Sequence, residues 1–76
     1  MKLAAVTWYD THSNSDWAKI PEAFEPLEIV SIGHIKEFPE GVVLVANYMR
    51  EQSCCDELCF GTTYIPQGCI RVIRYL

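Results

Sequence analysis

Apolar and β-branched residues fall into five runs separated by polar, proline-bearing or glycine-bearing breaks, which is the pattern of a chain of short strands. Residues 2–9 (K-L-A-A-V-T-W-Y) become richer in β-branched and aromatic types towards their end, types that fit a pleated, half-covered surface. They predict a first strand. Residues 10–16 (D-T-H-S-N-S-D) hold no apolar side chain and predict a loop. After Trp17, prolines at 21 and 26 leave room for at most one short helical turn, because proline has no donor and restricts the residue before it. Residues 27–38 carry Ile29, Val30, Ile32 and Ile35 at a spacing too irregular for one flat strand, with Gly33 among them. Glycine inside a strand marks a bend, a bulge or the close approach of another backbone. A bend here would change which face turns inward, as a strongly curved sheet requires.

Residues 39–41 (P-E-G) predict a tight hairpin turn into a strand over 42–49 (V-V-L-V-A-N-Y-M). That strand is apolar on both alternating faces, so it is expected to be covered on both sides. Residues 50–57 read as a polar loop, 58–65 as a fourth strand and 70–76 as a fifth. Between the last two lies I-P-Q-G (65–68), where proline lacks the ladder donor and Gly68 is free to take a positive φ, so the sheet must be interrupted there. The expectation is one all-β domain over residues 1–76, with a one-turn 3₁₀ connector before the last strand.

Length and charge narrow the classes. A chain of 76 residues covers only about 60 % of the surface its unfolded form exposes, and oligomerisation is a common remedy at this size. Half the residues are apolar and 21 % are charged, ample for a core and rich for a lone chain's surface. The net charge is −4 and the six basic residues are scattered, so no basic face offers itself to a phosphate backbone and double-stranded DNA is disfavoured as a partner. No apolar run nears the ~18 residues of a membrane span. Residues 1–6 are too short to act as a signal peptide, so a soluble cytoplasmic protein is expected. With no export signal, Cys54, Cys55, Cys59 and Cys69 are expected as free thiols.

The segment Y-I-P-Q-G-C-I (64–70) resembles the proline-bearing turn before the last strand of SH3-like folds, and the succession of connections is similar to that of SH3-like and Sm-like barrels. A wider pattern, Val6-x-Trp8-x-Asp10, Trp17, Ser31-x-Gly33, Ile65-Pro66 and Ile70-x-x-Ile73, resembles a family of small uncharacterised tailed-phage proteins. Virus-derived Sm-like proteins are the structural relatives it suggests. The resemblance implies a five-stranded barrel, a homo-oligomeric ring larger than a dimer, and a non-catalytic binding role in the host cytoplasm that could include RNA or nucleotides. The alternative it leaves open is a structural, assembly or host-protein-binding accessory with no nucleic-acid ligand. The chain lacks the lysine–histidine signature that bacterial Sm-like proteins carry before the last strand, which counts against uridine-rich RNA.

Candidate chemistry is sparse. Asp10, His12, Ser13 and Asp16 supply the side-chain types of a triad or a small metal site, but a run of consecutive polar loop residues has little packing to hold them in register. The same residue types satisfy turn backbones and cap short turns. The cysteines read C-C-x-x-x-C with Cys69 apart, an incomplete version of the paired knuckles of structural zinc. A metal site would need His34 as a further donor, and neither a metal nor a cofactor is expected. Trp8 and Trp17, with Tyr9, are expected in core or interface; the sharper reading stacks them on bases beside Arg71 and Arg74. Alternation sets those arginines on opposite faces of the last strand, one at a rim or a subunit contact. The candidate ligand-binding set is therefore Trp8, Asp10, His12, Trp17, Arg71 and Arg74.

Overall fold

The computed structural model describes residues 1–11, 15–24, 26–50 and 57–76. Five antiparallel strands make one sheet: β1 (Lys2–Asp10), β2 (Leu27–Phe38), β3 (Gly41–Arg50), β4 (Glu57–Pro66) and β5 (Ile70–Tyr75), in the order β4-β3-β2-β1-β5. Every expected strand is present with ends within one residue of those read from the pattern. Residues 15–24 hold no helical turn, within the limit of at most one short turn that the prolines set. The expected 3₁₀ connector spans Gln67–Cys69 and the sheet resumes after Gly68, at Ile70; Gly68 does this without a positive φ, which among the described glycines occurs only at Gly41 and Gly61. The missing proline donor alone is enough to break the ladder there.

Gly33 stands where β2 changes partners. Leu27 to Ile35 pair with β1, whereas His34 to Phe38 pair with β3. A Cβ at Gly33 would lie 3.0 Å from the Val45 carbonyl oxygen and 3.3 Å from its nitrogen, so glycine lets the β3 backbone close in. Gly41 is tighter still. A Cβ there would sit 2.2 Å from the Ile65 carbonyl oxygen, at the corner where the Gln67 amide donates to the Glu40 carbonyl at 2.8 Å.

Residues opposite one another in an antiparallel ladder share a face. On one face Ala4, Val6, Ile35, Val42, Leu44 and Ile65 are buried together, with Trp8, Cys69, Ile70 and Ile73 packed against them. Ile65 comes from one edge strand and Ile70 and Ile73 from the other, so both edges curl towards one core. The sheet is nevertheless open: among the described residues β4 pairs only with β3, and β5 only with β1. A closed barrel would need those two edges to meet, and the three-residue turn between them instead carries the chain across to β1.

The doubly apolar strand is covered on both faces for only half its length. Val42, Leu44 and Val45 are buried, whereas Ala46 to Met49 are exposed. The reason is pairing: β3 has β2 beside it only as far as Val45, and beyond that point Asn47 to Arg50 and Glu57 to Phe60 form a two-stranded ribbon. The ribbon helps to give the molecule its length, with extents of 57 × 25 × 20 Å.

These contacts set three expected stabilities. Gly41→Ala forces backbone apart and should cost roughly 2–4 kcal/mol, Ile65→Ala opens the core and should cost about 2–5 kcal/mol, and Gly68→Ala should be neutral or stabilising by up to about 1 kcal/mol. Urea unfolding of the three variants checks the order. Gly68→Ala has room because nothing lies within 4 Å of its added methyl.

Candidate binding surfaces

The sheet separates the sequence-picked residues onto different surfaces. Trp8 lies on the core side, half-buried, with its Nε1–H donating to Ser31 Oγ at 3.0 Å. Its hydrogen bond and packing commit it to the domain itself rather than to a stacking platform. Asp10 ends β1 and accepts the Thr11 amide on Oδ1 at 2.8 Å, the local backbone role that aspartate takes in turns. His12 and Ser13 lie outside the described residues, as do Cys54 and Cys55. Trp17 is fully exposed, at 104 %. Cys59 is exposed and Cys69 half-buried, both as free thiols, and among the described residues no group of His, Cys, Asp and Glu gathers as a metal site.

Arg71 and Arg74 are not on opposite faces. The β1–β5 register slips between Thr7 and Trp8, which pair with Val72 and Ile70, so Arg71 is the extra residue of a bulge. The bulge turns it to the outer face, where its Nη1 donates to Tyr9 Oη at 3.0 Å and lies 3.6 Å from Glu28 Oε2, with the guanidinium 5.9 Å from the Tyr9 ring centroid. Arg74 pairs with Ala5, whose face is also the outer one. The bulge thus sets both arginines on the face of Tyr9, with Arg71 in contact with it, and Glu28 cancels part of the Arg71 charge. An ion pair this exposed contributes only about 0–1 kcal/mol.

Two hollows accompany these residues. One, about 990 Å³, lies against Asp10, Thr11, Pro21, Glu22 and Phe24; the charged residues among its described walls, Asp10 and Glu22, are acidic, which repels phosphate. The other, about 700 Å³, is a mainly apolar groove over β3 and β4 that includes Phe38, Val43, Val45, Tyr48, Leu58 and Tyr64. Beside it the His34 ring meets the Tyr48 ring edge-on at 4.9 Å, and His34 Nδ1 is buried without a hydrogen-bond partner. None of these groove residues was singled out by chemistry in the sequence. Their one advance signal was the strand apolar on both faces. The surface carries many more large apolar side chains: Ile20 is 91 % exposed, Phe24 89 %, Phe60 78 % and Tyr64 74 %.

Compared with protein-family models, curated proteins and solved structures, the chain matches none of them significantly. Among the described residues, no helix is long and apolar enough to cross a membrane.

One titratable contact closes the core-side rim. Tyr75 Oη donates to Glu37 Oε1 at 2.6 Å. Its pKa is raised above the ordinary 10.0, first by that hydrogen bond to the carboxylate, then by desolvation and the Glu37 charge. The folded value lies above the unfolded one, so the contribution to stability is complete below pH 10 and is lost as pH rises through the raised value. Ring ¹³C NMR of Tyr75 should therefore titrate above pH 10, and Glu37→Gln should bring the midpoint back down; an unmoved midpoint would remove the carboxylate as the cause.

Proposed function

We propose that the chain is a non-catalytic, self-associating module of SH3-like barrel ancestry, acting as a structural or protein-binding accessory rather than on nucleic acid. The observation that carries this reading is the amount of apolar side chain left uncovered on strands β3 and β4 and on the segment from Trp17 to Phe24. Apolar area of this kind marks contact with other macromolecules. The meandering order of strands, the 3₁₀ turn before β5 and a core fed from both sheet edges support the barrel relationship, although the sheet itself is open. Resemblance to small tailed-phage proteins makes assembly of a virion or interception of a host protein the natural setting.

Contact with RNA or a nucleotide is the second reading, favoured by the grouping of Tyr9, Arg71 and Arg74 on one face. Against it stand the partial neutralisation by Glu28, the acidic hollow at Asp10 and Glu22, and the net charge of −4. The two readings separate in a thermal-shift series with single-stranded oligonucleotides and nucleotides across a salt titration. The expected change in melting temperature is under about 1 °C at every salt concentration. A rise that grows with ligand and fades with salt, and that is lost in Arg71→Ala, would move the function to nucleic acid.

A further inference from the structure

The two open edges of the sheet are not equivalent. β5 is six residues long, is broken by the bulge at Arg71, and carries Arg71 and Arg74. Bulges and charged side chains are the devices by which natural sheets keep an edge from pairing. β4 is ten residues long, and from Leu58 to Pro66 (L-C-F-G-T-T-Y-I-P) it has no lysine, arginine, aspartate or glutamate. Pro66, at its last position, and Gly61, whose positive φ falls in mid-strand, are the two interruptions of the edge among its described residues. An uncharged edge rich in β-branched and aromatic residues is a template for another strand.

The ribbon strengthens the case independently. Asn47 to Arg50 and Glu57 to Phe60 pair with each other and, among the described residues, have no third strand beside them. A two-stranded ribbon is marginal in water and needs a further strand or a packed face to persist. Among the described residues neither is present, and Met49, Leu58 and Phe60 are 64, 45 and 78 % exposed.

We infer that β4 pairs antiparallel with β4 of a second copy of this chain about a two-fold axis, joining two five-stranded sheets into one and turning each two-stranded ribbon into part of a four-stranded one. This deepens the self-association reading and rests on it. The occupant follows from charge and length. A second β4 matches the edge in length, with breaks at Gly61 and Pro66, and brings no like charge against like between Leu58 and Pro66. A neighbour's β5 would match at most six positions, leave the rest of the ribbon bare and put its bulge into the ladder. Area points the same way. With a whole aromatic side chain worth roughly 150–250 Å², the exposed parts of Met49, Leu58, Phe60 and Tyr64 amount to on the order of 500 Å² per copy. Two copies together expose about 1,000 Å² on these side chains, an upper limit on the side-chain area the pairing covers, and a specific interface attains about that size once the backbone edge is added.

The test is the mass of the full chain in solution under reducing conditions, by light scattering and sedimentation equilibrium. Wild type should run at twice the 8.7 kDa chain mass. Phe60→Lys and Tyr64→Lys, both at exposed positions, should each weaken dimerisation at least tenfold while circular dichroism keeps its β signature. Val72→Lys, on the outer face of β5, should leave the dimer intact. A monomeric wild type would overturn this pairing and the self-association reading together. A wild type larger than two chains, a dimer untouched by both β4 variants, or a dimer lost in Val72→Lys would overturn the β4 pairing alone.

Discussion

Everything in this fold depends on one constraint: a sheet of five strands has to bring both of its edges over a single small core. The six side chains buried together lie on one face, and they come from β1 to β4, with β5 adding Ile70 and Ile73 at the margin. Such curvature needs backbones to come closer than side chains allow, and glycine supplies the room at Gly33 against Val45 and at Gly41 against Ile65. Trp8 then fixes the middle of the face through Ser31, and the 3₁₀ turn sends the chain from β4 to the far side of β1. So little core is made that most of the remaining apolar side chains stay at the surface. The proposed self-association starts from that imbalance.

The architecture was legible because it is written locally. Alternating and continuous apolar runs placed all five strands, the proline at 66 placed the connector, and Gly33 announced the close approach that β2 and β3 make. What stayed hidden is non-local. No pattern within residues 70–76 shows that the β1–β5 register slips at Arg71, yet that one-residue slip carries both arginines to one face and Arg71 next to Tyr9. Likewise, the apolar run over 42–49 cannot say how far β2 accompanies it; the answer, to Val45 and no further, divides a covered half from a bare one.

The candidate site was less legible than the fold. Residues chosen for their chemistry scatter: Trp8 to the core, Asp10 to a turn, Trp17 to solvent and the arginines to the outer face. A binding site needs side chains to converge, and convergence is set by tertiary pairing rather than by spacing along the chain. What does converge is apolar: the groove by Val43, Val45 and Tyr64, and the uncharged edge beside it. The proposed contact with another polypeptide therefore lies on these surfaces, with the β4 edge foremost.

Amide hydrogen exchange, followed residue by residue as protein concentration is raised, tests that account most directly. An edge strand in a lone chain has half its amides facing water, and those exchange fast; the same amides in a continuous sheet are protected. The prediction is protection of alternate amides along β4 that rises with concentration, while the outward amides of β5 exchange rapidly throughout. Fast exchange along the β4 edge at every concentration, or concentration-dependent protection confined to β5, would contradict it.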